Sequence, residues 1–136
     1  MPLSENEISE GIVAYFDADM LTKSDQIDYC EKDVNFRSGP FLCIMSEGDE
    51  SAWLQITGTK DAKNIRLEIL KEWRCSGSDH WRTGPQYIHD ARKPFRGKNT
   101  AFVAAAAKDN KTKSDRPYIT RAGIIRVVSE VEKYKK

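Results

Sequence analysis

The chain has 136 residues, of which 39% are hydrophobic and 32% charged, and its formal net charge is +1. This length and composition suit a single domain spanning residues 1–136 with one core, and they exclude a disordered tail. No apolar run approaches the roughly 20 residues of a membrane-spanning helix, and MPLSENEISE lacks the order of a secretion signal, so we expect a cytoplasmic protein without a membrane partner.

The charge is distributed unevenly along the chain. Residues 1–33 contain nine acidic and two basic residues, whereas residues 80–136 contain five acidic and fourteen basic residues. A basic half fits a polyanionic partner, although solvated faces and intramolecular ion pairs give the same pattern. The three cysteines lack the spacing of a disulfide framework or a zinc site, so we expect reduced thiols, and the sequence indicates no metal and no cofactor.

The first third of the chain predicts one strand between two less regular segments. Ser4 and Glu7 have capping-box spacing, which predicts a short turn of helix before Gly11. Residues 12–16 are rich in strand formers and predict a buried strand, with a helix through Gly11 as the alternative. Residues 17–39 are acidic and polar, and we interpret them as a long loop that is a lid, a partner-binding arm or a passive insertion.

The middle of the chain predicts a hairpin followed by a third strand. Residues 41–45 and 52–57 are runs of strand formers on either side of an acidic turn at residues 47–50. Residues 65–70 begin with an alternating pattern that predicts a strand, and a short helix through Trp73 is the alternative.

The next segments give weaker signals. Residues 75–85 are small, polar and glycine-rich, which is typical of a loop, and residues 86–89 favour a brief strand. Residues 101–107 form an apolar run of small residues. Alanine favours a helix there, but the Phe-Val pair after a polar turn favours a tightly packed strand, and we predict the strand.

The C-terminus predicts an amphipathic helix. Thr120 is a good N-cap, and Ile119 and Ile124 occupy staple positions on either side of it. Apolar residues then recur at helical spacing with polar residues between them: Ile124, Val127, Val128, Val131 and Tyr134. This apolar stripe needs a partner, and a strongly bent small sheet is the expected one.

Together, the short strands, the early hairpin and the terminal helix resemble the SH3-like barrel of the MazF/PemK-type toxins of toxin–antitoxin pairs. Gly11-Ile-Val is similar to that family's opening Gly-Asp-x-Val, Arg37-Ser-Gly-Pro-Phe-Leu-Cys-Ile to its Arg-Pro-x-x-Val-Ile, and Leu54-Gln-Ile-Thr57 to its strand ending in threonine. The resemblance covers under half of the chain. It implies a mostly β fold with α: a small barrel of about five to six strands with a C-terminal amphipathic helix.

The same resemblance implies a function and partners. It implies a metal-independent endoribonuclease of prokaryotic or phage origin, in which Arg37 and Thr57 act on one phosphate of RNA. It also implies a homodimer and an antitoxin as protein partner.

A polar cluster in the loop at 75–85 adds two candidate catalytic residues. Cleavage of RNA through its 2′-hydroxyl needs a base, an acid and a cation. Asp79-His80-Trp81-Arg82 combines a carboxylate, an imidazole, an indole and a guanidinium, so His80 and Arg82 are candidate supporting groups. The alternative is an exposed polar loop with Trp81 folded onto the core.

A second basic stretch is the candidate nucleic-acid surface. It interleaves cations with an aromatic residue, and its proposed contacts are Arg92, Lys93, Phe95, Arg96 and Lys98. Backbone phosphates favour several cations within reach, and an exposed aromatic ring stacks on an unpaired base. The alternative is that Phe95 is buried and the basic residues maintain solubility.

Two other functions compete with RNA cleavage. The first is a non-enzymatic binding protein, such as a phage or mobile-element inhibitor or adaptor, whose acidic residues 17–33 face a basic partner. The second is an RNA- or DNA-binding module that uses the basic loops without chemistry.

Overall fold

A computed structural model of the chain describes residues 3–28, 38–58, 67–88, 94–106 and 116–133. Within these ranges the strands are β1 (Val13–Phe16), β2 (Ile27–Asp28), β3 (Gly39–Glu47), β4 (Glu50–Thr57), β5 (Leu67–Glu68), β6 (Arg74–Cys75), β7 (Tyr87–Ile88), β8 (Phe95–Lys98) and β9 (Tyr118–Ile119). The helices are α1 (Ala18–Lys23), α2 (Asp79–Thr83), α3 (Asn99–Ala105) and α4 (Arg121–Glu132), with 3₁₀ turns at Glu5–Glu7 and Lys71–Trp73. None of the helices in these ranges has the length and apolar character to cross a membrane.

Seven of these strands form one antiparallel sheet that forks along β4. The sheet begins β1–β3–β4, and β4 then pairs with two different strands. Residues 50–53 pair with β8, which continues to β2, and residues 56–57 pair with β7, which continues to β5. We call these two branches the β8 arm and the β7 arm. Strands β6 and β9 form a separate small sheet.

The chain is therefore a mixed α/β protein built on a mostly antiparallel sheet. The predicted barrel is not closed among the described strands, because β1, β2 and β5 each pair with only one other strand of the main sheet. The main sheet also has seven strands instead of five to six. The number of strands is larger because the two halves of β4 pair with different strands, β8 and β7, and each of these pairs with one strand more.

The hairpin of β3 and β4 is the centre of the sheet, as predicted. Gly48 lies in its turn with φ +61°, a left-handed conformation that glycine adopts without a steric penalty. The strand register shifts between Cys43 and Met45, so β3 contains a bulge. Both faces of the hairpin are covered, which explains why residues 41–45 form a continuous apolar run instead of an alternating one.

Each face of the sheet has its own hydrophobic core, because successive residues of a strand point to opposite sides. The α4 core includes Val13, Leu42, Ile44, Leu54, Ile56, Trp81, Ile88, Ile119, Ile124, Val127 and Val131. The α3 core includes Leu3, Ile8, Ala14, Phe16, Leu21, Phe41, Cys43, Trp53, Phe95, Phe102 and Ala105. Helix α4 therefore covers one side of the sheet, and α1 and α3 cover the other.

Aromatic rings dominate the α3 core. Phe16 contacts Trp53 edge-on with ring centroids 4.8 Å apart, and Phe41 contacts Phe95 in the same way at 5.4 Å. The indole Nε1 of Trp53 donates to Ser51 Oγ at 2.8 Å, so its one polar atom is satisfied inside the core. These contacts fix the packing of the hairpin against α3.

The prediction of a long loop at residues 17–39 is wrong for its first half. Helix α1 forms because the Asp17 carboxylate accepts from the backbone N–H of Met20, and Leu21 anchors the helix in the α3 core. Residues 27–28 then form β2. Residues 29–37 lie outside the described residues.

Two further predictions are corrected. The strand predicted at residues 101–107 is the helix α3, because alanine is the best helix former and Phe102 and Ala105 fall three residues apart on the face that meets the core. The loop predicted at residues 75–85 contains the helix α2, which Ser78 caps at the N–H of Trp81. The strand at residues 65–70 is reduced to β5 in the described part, and the 3₁₀ turn follows it.

The predictions at the two ends of the chain are confirmed. The Ser4 N–H donates to the Glu7 carboxylate at 3.1 Å at the predicted N-terminal turn, and a strand follows. At the other end Thr120 Oγ1 accepts from Gly123 N at 3.3 Å and opens α4. Ile124, Val127 and Val131 of the predicted apolar stripe lie in the α4 core. Tyr134, the last residue of that stripe, lies outside the described residues.

Cys43 is expected to resist thiol reagents in the folded protein. Burial raises the pKa of its thiol to about 12, so at about pH 8 the reactive thiolate is scarce as well as inaccessible. Cys75 is only half-buried and serves as the internal comparison. Alkylation followed by peptide mapping should modify Cys75 first and Cys43 only after unfolding. Equal labelling of both thiols in the native state would contradict the buried position of Cys43.

Candidate functional site

The site predicted from the sequence lies at the open end of the hairpin. Thr57 is the last residue of β4, and Gly39 is the first residue of β3. The last paired residues of these strands are Phe41 and Gln55, so both ends lie together. Arg37 lies outside the described residues. Its neighbour Ser38 accepts from Ala18 N at 2.8 Å, which ties the start of β3 to α1.

Thr57 belongs to a row of polar side chains across three strands. It pairs with Tyr87 of β7, and Tyr87 pairs in turn with Glu68 of β5. Residues paired in this way point to the same face, with Cβ atoms roughly 5 Å apart. The neighbouring row of the same strands is apolar and packs in or against the α4 core: Ile56, Ile88 and Leu67. The polar row therefore points to the opposite side of the sheet.

This polar row combines three kinds of group. Thr57 supplies a hydroxyl, Tyr87 a phenol and Glu68 an exposed carboxylate. A carboxylate accepts protons, and the two hydroxyl groups donate hydrogen bonds. The sequence does not single out Glu68 or Tyr87, because each lies in a strand of two residues. The only available signal is the change from an apolar to a polar residue within each strand.

Arg74 is a buried cation that organises the segment beside this row. Its Nε donates to the carbonyl of Ile69 at 2.9 Å, and its Nη1 donates to the carbonyls of Trp81 at 3.1 Å and Gly84 at 2.6 Å. The guanidinium carbon also lies 5.9 Å from the centre of the Trp81 ring. These contacts fasten the end of α2 to the residues after β5, so Arg74 has a structural role.

The charge of Arg74 also bears on the polar row. Burial lowers the pKa of its guanidinium, while electrostatic interaction with the Glu68 carboxylate acts in the opposite direction and raises it. The charges of Arg74 and Glu68 therefore interact in this part of the molecule.

Helix α2 brings His80 towards the same end of β4. A methyl group at Gly84 would lie 2.9 Å from His80 Nδ1, so the imidazole packs over this glycine. A methyl group at Gly58, the residue after Thr57, would lie 3.5 Å from the carbonyl oxygen of Pro85. The contact between Gly58 and Pro85 therefore places the residues that follow α2 beside the end of β4, although 23 positions separate His80 from Thr57 in the sequence.

Arg82 is placed less favourably than His80. Its guanidinium is exposed and forms an ion pair with Asp79 on the same turn of helix. It is therefore partly neutralised, although a phosphate could compete for it because exposed pairs of this kind are weak.

Gln55 adds a buried acceptor on the same face of β4 as Thr57. Its side chain is only 9% exposed, and its Oε1 has no hydrogen-bond partner among the described residues. It lies at the fork, between the pairs Trp53–Phe95 and Ile56–Ile88. An acceptor without a donor is costly in the interior, so this oxygen favours a ligand or water with an N–H or O–H group.

The predicted nucleic-acid surface is largely used for packing. Phe95 is 4% exposed and contacts Phe41, so the alternative of a buried ring holds and base stacking by this ring is excluded in this conformation. Lys98 Nζ lies 3.0 Å from Asp49 Oδ2, which raises the pKa of Lys98 and lowers the pKa of Asp49. Arg96 remains exposed on β8. Arg92 and Lys93 lie outside the described residues.

Metal ligands and relatives give no further assignment. The described part of the chain contains no group of three or more His, Cys, Asp or Glu side chains that could hold a metal ion. Comparison of the chain with protein-family models, curated proteins and solved structures found no match.

Proposed function

We propose that the protein is a cytoplasmic, toxin-type endoribonuclease that cleaves RNA without a metal ion at the open end of the hairpin. The observation that carries the proposal is the in-register row Thr57–Tyr87–Glu68. We also propose that the forked sheet is an opened form of the SH3-like barrel, since it has the early hairpin and terminal helix on which that resemblance rests.

The row can supply each step of a transesterification. The Glu68 carboxylate accepts the proton of the RNA 2′-hydroxyl as its oxygen attacks the adjacent phosphorus. The Tyr87 phenol gives a proton to the departing 5′-oxygen, and the products are a 2′,3′-cyclic phosphate and a 5′-hydroxyl. Thr57 donates to a non-bridging oxygen of the phosphorane, whose charge Arg37 offsets. His80 of α2 is a supporting group for proton transfer.

Mutation of the row tests the proposal. Glu68→Gln and Tyr87→Phe should each slow cleavage of single-stranded or structured RNA in EDTA by roughly 100-fold, because each removes one partner in proton transfer. Thr57→Val and Arg37→Ala should also slow it. Glu72→Gln, at an exposed glutamate four residues from Glu68, is the matched control and should cleave normally.

Two results would end the ribonuclease proposal. One is a purified protein that leaves every RNA intact, and the other is cleavage that survives all four substitutions. Analysis of the cut ends adds a separate check, because hydrolysis that leaves a 3′-hydroxyl would contradict attack by the 2′-oxygen.

A non-enzymatic binding protein is the second candidate function. Exposed carboxylates at Asp19, Asp25 and Asp28 give α1 and β2 an acidic surface that suits a basic partner. Absence of RNA cleavage together with charge-dependent binding of a basic protein would favour this function. A homodimer and an antitoxin remain part of the ribonuclease proposal.

A further inference from the structure

The aromatic side chains beside Gln55 offer no donor to its unpaired oxygen Oε1. Phe41 pairs with Gln55 across β3 and β4, and the Phe41 ring contacts that of Phe95 edge-on at 5.4 Å. Neither ring has a polar atom. Trp53 lies two residues before Gln55 on the same face, and its Nε1 donates to Ser51 Oγ at 2.8 Å. A donor for Oε1 therefore has to come from another group.

The burial of this face of β4 decreases towards the open end of the hairpin. Trp53 is fully buried, Gln55 is 9% exposed, Thr57 is half-buried, and Gly58 is exposed. The carboxamide of Gln55 therefore lies at the edge of the α3 core and not at its centre. A ligand that reaches Gln55 would enter past Thr57.

The fork of the sheet places Gln55 between the two arms. Strand β8 pairs with β4 as far as Trp53, and Pro94, the residue before β8, has no N–H with which to extend that ladder. Strand β7 pairs with β4 from Ile56 onwards. Gln55 therefore lies where no described strand pairs with this edge of β4.

We propose that Gln55 binds the base of the nucleotide on the 5′ side of the cleaved phosphate, and that this base is adenine. This assignment rests on the proposed ribonuclease function. Two residues separate Gln55 from Thr57 along one face of a strand, about 7 Å, so a nucleotide whose phosphate contacts Thr57 can place its base at Gln55. The ionised phosphate has no proton to donate, and the 2′-hydroxyl gives its proton to Glu68. The base is the remaining donor.

Adenine matches the carboxamide of Gln55 better than guanine does. The N6 amino group of adenine donates to Oε1 and its N7 accepts from Nε2, so the contact is bidentate. Guanine presents two acceptors, N7 and O6, at the same edge, and O6 would face Oε1 with no proton between them. This edge of the base is accessible in single-stranded RNA. Cleavage should therefore occur preferentially after adenosine.

Replacement of Gln55 tests the assignment, because Gln55→Met keeps the length of the side chain and removes both hydrogen-bonding groups. The wild type in EDTA should cut a random-sequence RNA after adenosine roughly 10- to 100-fold more often than after the other nucleosides, as one bidentate contact gives. Gln55→Met should still cut but lose this preference. Gln26→Met, at an exposed glutamine, is the matched control and should keep it.

Two measurements without catalysis separate this assignment from the ribonuclease proposal. Calorimetric titration should show that the wild type binds adenosine 3′-monophosphate at least roughly 10-fold more tightly than guanosine 3′-monophosphate, and that Gln55→Met binds both equally. Urea unfolding without a ligand should show Gln55→Met to be at least as stable as the wild type, because the substitution removes an unpaired acceptor. Selective binding of the adenosine nucleotide without any RNA cleavage would reject the ribonuclease proposal and retain the base site.

Three results overturn the assignment of Gln55. The first is a wild-type protein that prefers another base, or none, in both cleavage and binding. The second is a preference for adenine that Gln55→Met retains. The third is a clear loss of stability in ligand-free Gln55→Met, which would show that Oε1 already has a partner such as an ordered water and that Gln55 serves the fold.

Discussion

Replacing Arg74 by methionine should lower the free energy of unfolding by about 4 kcal/mol, one of the two largest effects that we expect from any single substitution. Methionine has similar length but no donor. The carbonyl groups of Ile69, Trp81 and Gly84 would lose their partner in a site that water does not reach freely. The end of α2 would also lose its fastening to the residues after β5, so the row at Glu68 and Tyr87 should become disordered with it.

Two further substitutions complete this experiment: one separates hydrogen bonding from charge at Arg74, and the other is a control at an exposed arginine. Arg74→Lys keeps the positive charge but offers one ammonium group in place of a planar fork, so it should recover less than half of the loss. Arg82→Met removes an exposed arginine from the same segment and should change stability by under about 0.5 kcal/mol. Urea unfolding followed by tryptophan fluorescence measures all three. An Arg74→Met protein as stable as Arg82→Met would show that the carbonyl contacts contribute nothing.

Glu7→Gln should destabilise the protein by roughly 3 kcal/mol near pH 7, because it leaves a buried guanidinium without its counter-ion. Glu7 Oε2 lies 2.8 Å from Arg116 Nη2, and the two side chains are only 11% and 5% exposed. The Nε and Nη1 atoms of Arg116 already lack partners among the described residues, so nothing there can replace the carboxylate. The pair joins the N-terminal turn to the residues before β9.

The same ion pair predicts a pH dependence. Burial alone would raise the pKa of Glu7, but hydrogen bonds from Ser4 and Arg116 outweigh it and hold the pKa below its ordinary value of 4.5. A carboxylate with a lowered pKa contributes stability above its unfolded pKa, and this contribution is lost as the pH falls through the folded pKa. Wild-type stability should therefore fall below about pH 5 more steeply than that of Glu7→Gln.

An exposed neighbour provides the control for this pH experiment. Glu5→Gln changes a carboxylate in the same turn that is exposed, so its unfolding curves should follow those of the wild type. Urea unfolding at several pH values from about 2 to about 7 gives the comparison. Parallel curves for the wild type and Glu7→Gln over that range would show that the ion pair does not contribute in the folded state.

Long segments with a clear pattern are the parts of this fold that the sequence predicts. The hairpin at residues 39–57 and the helix at residues 121–132 each have enough residues for their spacing to identify them. The apolar run at residues 101–107 fits both a strand and a helix. Its packing decides between them, because the helix places Phe102 and Ala105 together against the aromatic core.

The candidate site could be predicted only in part. Thr57 is visible because it ends a long strand, and His80 because histidine is rare in this chain. Glu68 and Tyr87 have no periodic pattern around them, and only the pairing of distant short strands brings them beside Thr57. The burial of Phe95 could not be predicted from the sequence either, because it results from the pairing of Phe95 with Trp53 in the sheet.

The fork in the sheet makes the two arms dependent on the hairpin but not on each other. The β8 arm shares the aromatic core with α3, whereas the β7 arm joins β4 through two residue pairs and packs Ile88 in the α4 core. The free energy needed to detach the β7 arm is therefore smaller than that of global unfolding. Detachment of this arm would move Glu68 and Tyr87 together, because the two residues pair with each other, and it would expose Ile88 of the α4 core.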